Sequence, residues 1–79
     1  MSGFSNRVAF VRALDGQITL GLSGGLEIQL GVPIDLRLKI AIARGILPTL
    51  ALPGQGGPDY LDVTVPERPV AGRNSQPSG

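Results

Sequence analysis

"QITLGLSGGLEIQL", residues 17–30, alternates apolar and polar positions twice, with a cluster of small residues between the two runs. Ile18, Leu20 and Leu22 share one phase, and Leu26, Ile28 and Leu30 share the next, with Glu27 and Gln29 facing away. A period of two puts alternate side chains on opposite sides of a strand, and Ser23-Gly24-Gly25 is suited to a reversal. The stretch therefore reads as a β-hairpin with one apolar face, and everything around it must cover or extend that face.

On its N-terminal side stands Asp15-Gly16, a turn dipeptide. Before it, "RVAFVRAL" (Arg7 to Leu14) is rich in Val and Phe, with Val8, Phe10 and Leu14 on one phase and Arg12 interrupting it. This segment adds a third strand, giving a meander. On the C-terminal side, "PIDLRLKIAIARGILPTL" changes period. Leu36, Ile40, Ala43, Leu47 and Leu50 fall on one stripe of a helix running from Pro33 to Leu50, which is the natural cover for the sheet. Pro33 and Asp35 suit its first turn, the proline because no N–H is needed there and the carboxylate because it complements the helix dipole. Gly45 weakens the helix by up to about 1 kcal/mol, and Pro48 ends it. Ile34, Leu38 and Ile42 form a second apolar stripe, which suggests a further contact face. Lys39 is expected to extend its amine to water past an apolar stem.

"ALPGQGGPD", residues 51–59, is a loop by composition. A fourth strand follows from Tyr60 to Val65, with Leu61, Val63 and Val65 inward and Tyr60, Asp62 and Thr64 outward. Beyond Pro66 periodicity is lost. The expected organisation is a flexible start over residues 1–6, a folded unit over 7–66 and a disordered tail over 67–79. The element order is βββαβ, an α+β fold in which a small mixed sheet carries one helix on a face.

The chemical inventory is poor. The chain has 79 residues with a formal charge of +1, and it contains no His and no Cys, one Tyr and no Trp. Without thiols or imidazoles, neither a disulfide nor an ordinary zinc site can be assembled. Scattered charge and few aromatics argue against nucleic-acid binding. No run approaches the roughly 18 apolar residues of a membrane span. Ser23 lies in a turn with no histidine base, and Asp59 and Asp62 fall on opposite faces of a strand, so neither a nucleophile nor a shared-proton carboxylate pair is available. The glycine-rich "SGG" and "GQGGP" lack the following helix and lysine of a phosphate loop. No catalytic residue, metal, cofactor or small-molecule substrate is expected.

Three pieces taken in order resemble a known pattern. "DGQITLGLSGGLEIQLG", "DLRLKIAIARGIL" and "YLDVTVPERPV" are similar, over roughly Asp15 to Val70, to the late strand pair, following helix and last strand of the extracytoplasmic β domain of FtsQ/DivIB cell-division proteins. In the helix, Leu36, Lys39, Ile40, Ala43, Ile46 and Leu47 fall on the family's marked positions, while Leu38, Ile42 and Gly45 depart from it. The family's transmembrane helix and POTRA domain have no counterpart here, so the resemblance implies an incomplete β domain. It also implies a non-enzymatic scaffold of the septal machinery that binds small bitopic FtsB- or FtsL-like proteins by strand addition to the exposed edge of its last strand. Carried over by motif, that edge is Tyr60, Leu61, Asp62, Val63, Thr64 and Val65, and Pro66 and Pro69 limit the pairing. The implied location is the extracytoplasmic side of the cell membrane at the division site for a full-length protein, and the cytoplasm for this chain expressed alone. The alternative reading is an independent α+β adaptor that associates with itself through Ile34, Leu38 and Ile42 or through a sheet edge.

Overall fold

The computed structural model describes residues 8–73. The expected flexible start, Arg7 and the end of the expected tail beyond Arg73 lie outside them. In chain order the elements are β1 (Val8–Leu14), β2 (Gln17–Leu22), β3 (Glu27–Gly31), α1 (Leu36–Ile46), β4 (Tyr60–Asp62) and β5 (Val70–Gly72). The strands lie side by side in that same order. All neighbours are antiparallel except β3 and β4, which run parallel because α1 and the following loop carry the chain back across the sheet. The fold is α+β, a five-stranded mixed sheet with one helix.

Both hairpin turns form where the sequence places them. Asp15 and Gly16 take φ of 54° and 77°, the pair of positive angles that a two-residue turn between right-twisted strands requires. At the second turn the Gly25 N–H donates to the Leu22 carbonyl at 3.0 Å and the Leu22 N–H donates to the Leu26 carbonyl at 2.9 Å. The inward residues of the hairpin, Leu22, Leu26, Ile28 and Leu30, join Leu61, Val63 and Ala43 in the buried core. Leu36, Ile40, Leu47 and Leu50 of the first helical stripe pack against it.

The helix is shorter than expected. Asp35 stands before it in the left-handed region (φ 57°) with no side-chain cap, and Ile34 is held in a tight bend by its N–H to the Val32 carbonyl at 2.7 Å. Helical geometry cannot begin until Leu36, so Asp35 supplies a carbonyl to the Lys39 N–H at 3.0 Å and no first-turn charge. At the other end Pro48 converts the chain to a 3₁₀ turn, Leu47–Thr49, whose Thr49 hydroxyl donates to the Ile46 carbonyl at 2.7 Å. The second stripe breaks up as a result. Ile34 precedes the helix and Leu38 is exposed on it, while Ile42 packs on the core.

Lys39 also departs from expectation. Its side chain is buried, and its Nζ donates to the Val32 carbonyl at 3.1 Å. The loop before the helix folds over the amine and provides an acceptor, so the stem does not need to reach water.

Among the described residues, no element is layered on the sheet's other face. Directly paired residues share a face, so the register lines up Phe10, Gly21, Glu27, Tyr60 and Gly72 across all five strands. The Phe10 ring lies over Gly21 and the Tyr60 ring over Gly72, each leaving no room for a Cβ beneath it. Arg12 sits in this face between the Phe10 ring, 5.3 Å from its centroid, and Glu27, 3.2 Å from its carboxylate. Aromatic rings laid over strand glycines shield backbone that has no side chain of its own.

Candidate binding edge

The stretch that the sequence assigns to a last, open strand is neither last nor open. Glu27 N–H donates to the Asp59 carbonyl and Val63 N–H to the Gln29 carbonyl, both at 3.0 Å, so one side of β4 is bonded to β3. Its other side pairs with β5 in the register Tyr60–Gly72, Leu61–Ala71 and Asp62–Val70. Bonding to the sheet ends after the Val63 N–H because the Asp62 carboxylate turns back on the chain. Its Oδ1 accepts from the Thr64 N–H at 2.9 Å and the Thr64 hydroxyl at 2.7 Å, an Asx turn that takes Thr64 and Val65 out of the sheet. Val65, expected inward, is exposed for that reason.

The prolines then act as turn formers. Arg68 N–H donates to the Val65 carbonyl at 2.9 Å, which places Pro66 at the second position of a β-turn, where its fixed φ is favourable. Pro69, which has no N–H to leave unpaired, leads into β5. The order therefore continues past Pro66 into residues where a disordered tail was expected. Arg73, just beyond β5, donates from its guanidinium to the Gly56 carbonyl and fastens the strand's end to the loop.

Alternation along the ladders fixes which backbone groups have no ladder partner among the described residues. In the parallel pair, Leu61 lies between two positions bonded to β3, so Tyr60 and Asp62 turn their N–H and C=O groups toward β5. Gly72 and Val70 answer them. Ala71, opposite Leu61, is left with its N–H and C=O pointing out from the sheet edge. Beside this edge a cleft of about 270 Å³ is lined by Asp62, Thr64, Val65, Arg68 and Val70, and Val65 and Val70 are both more than half exposed.

Searches against family models, curated proteins and solved structures return no match.

The sequence-derived site residues are thus split. Leu61 and Val63 are core, Tyr60 covers Gly72 on the outer face, Asp62 and Thr64 make the turn, and only Val65 lines the cleft by the new edge with an exposed apolar side chain. The residues missed are Arg68, Val70 and Ala71. Val65-Pro66-Glu67-Arg68 did carry a usable signal, since proline is favoured at the second position of a type I turn and such a turn joins neighbouring strands. Among the described residues, no three His, Cys, Asp or Glu side chains are grouped so as to hold a metal ion. No helix of the described residues is long and apolar enough to cross a membrane.

Proposed function

We propose that this chain is a non-enzymatic binding module of the FtsQ/DivIB β-domain type that takes up a strand from a small bitopic, FtsB- or FtsL-like division protein, and that the receiving edge is β5. Two things support the reading. The order and spacing of three motifs resemble that family, and the family's mode of contact is addition to the edge of the last strand. Among the described residues the last strand is Val70–Gly72, not Tyr60–Val65. The observation that carries the assignment is the outward N–H and C=O of Ala71, set beside a cleft with two exposed valines. Main-chain bonds at Ala71 provide the docking, and Val65 and Val70 provide apolar contact for alternate side chains of the guest strand. With so short an edge, affinity depends on the cleft as much as on the ladder.

Two proline substitutions test this, because they remove N–H groups that point in opposite directions. Ala71→Pro removes the outward donor and leaves the bonds to β4 in place. Overlapping peptides covering an FtsB-type protein should bind the wild-type chain by fluorescence anisotropy and bind Ala71→Pro at least about tenfold more weakly, a loss of roughly 1.4 kcal/mol. Far-UV circular dichroism should be unchanged. Val70→Pro removes a ladder donor to β4 and should lower the melting temperature. Equal peptide binding by wild type and Ala71→Pro would show that the guest strand does not use this edge.

A further inference from the structure

The opposite edge of the sheet is built differently. β5 has three residues and is led in by a proline, whereas β1 has seven residues, no Pro and no Lys, and every one of them is exposed. Val11 and Leu14 are 63% and 65% exposed. Proteins commonly blunt an edge strand with charge, proline or shortness, and β1 has only Arg12, whose charge is already engaged by Glu27. The one irregularity is a register shift between Val8 and Phe10.

The outward groups of β1 follow from its neighbours. Leu22 closes the hairpin turn with its N–H to the Leu26 carbonyl, on the β3 side, so by alternation Gly21, Thr19 and Gln17 face β1 and bond Phe10, Arg12 and Leu14. Val11 and Ala13 are left with N–H and C=O pointing outward.

From these features we infer that β1 is a self-association edge, and that its occupant is β1 of a second copy of this chain, paired antiparallel about a two-fold axis at Val11. The reason is the sequence "VAFVRAL" itself, which is complementary to its own reverse. In this register Val11 meets Val11, Ala9 meets Ala13, Phe10 meets Arg12 and Val8 meets Leu14. Two-fold registers centred one residue away fail. Centring on Arg12 sets two guanidinium groups directly opposite each other, which destabilises a cross-strand pair, and centring on Phe10 leaves Ala13 and Leu14 without partners in β1. In the Val11 register each arginine lies opposite a phenylalanine ring, repeating between copies the cation–π contact already present within one chain. The bulge falls where Ala9 meets Ala13, so no large side chain is forced into it. On the helix side, Val11 extends the row Leu20, Ile28, Leu61 into the second copy. A formal charge of +1 on each chain adds little repulsion. The interface is separate from β5 and independent of the function proposed above.

Sedimentation equilibrium of the full chain across a dilution series tests the inference, with Val11→Lys and two cysteine variants of this naturally cysteine-free sequence. The wild type should show reversible dimerisation to twice 8.2 kDa. Val11→Lys sets two lysines opposite each other at the axis and should weaken dimerisation by roughly tenfold or more with an unchanged circular dichroism spectrum. Val11→Cys should cross-link to itself under mild oxidation, because paired Cα atoms lie about 5.5 Å apart, within disulfide range. Ser23→Cys, in the far turn, should not. A wild type that stays monomeric at every concentration overturns the inference. So does dimerisation by Val11→Lys equal to wild type, or cross-linking at Ser23 as fast as at Val11; if Val11→Lys fails to fold, the cysteine pair decides.

Discussion

Lys39 is the sole charged side chain among the described residues to be buried, and its amine has the Val32 carbonyl as acceptor. Burying a charge with so little compensation is costly, whereas its four-carbon stem packs favourably among apolar neighbours. The two contributions can be separated by substitution. Lys39→Met keeps the stem and removes the charge, and the Val32 carbonyl keeps the Ile34 N–H as its donor. That variant should match or exceed the wild type in chemical denaturation. Lys39→Ala removes the stem as well and should cost about 2 kcal/mol. Equal losses from both would mean that the bond to Val32, and not packing, is what the position contributes.

At the scale of elements, α1 shows a clear compromise. Gly45 lies in its last turn, and a Cβ built there meets nothing within 4 Å. Gly45→Ala should therefore stabilise the protein by about 0.5–1 kcal/mol by restricting the unfolded chain, read as a raised midpoint at unchanged slope in urea. A neutral or destabilising result would indicate that the helix end is used for something other than packing. The same element shows how far the sequence could be read. The stripe Leu36, Ile40, Ala43, Leu47, Leu50 was legible because burial on one face imposes its period directly, and so was the hairpin around Ser23-Gly24-Gly25. The start of α1 was not, because the left-handed turn at Asp35 depends on local backbone geometry that leaves no periodic trace. β4 and β5 depart from the sequence pattern for a related cause. Alternation continues through Thr64 and Val65, but one Asx turn from Asp62 ends the strand, and β5 is too short to show a period. The edge beside β4 therefore lies at Ala71 and not along Tyr60–Val65.

For the molecule as a whole, the two sheet edges differ in length, composition and protection, and the helix packs on β3, the central strand, leaving the exposed β1 outside its cover. An arrangement of this kind allows one partner at each edge without competition between them. It also gives the protein a built-in optical probe. Tyr60 is the single tyrosine, there is no tryptophan, and its ring rests on Gly72 of the last strand. Its emission and near-ultraviolet dichroism therefore report whether β5 is seated. On gentle heating, this signal should change before the far-ultraviolet signal of the helix does, because a three-residue edge strand held by one ladder frays more readily than the core. Coincident transitions would mean that β5 leaves only when the whole sheet does. In either case, addition of a guest strand beside Ala71 should raise the temperature at which the tyrosine signal changes, so the chain can be titrated with partners without attaching a label.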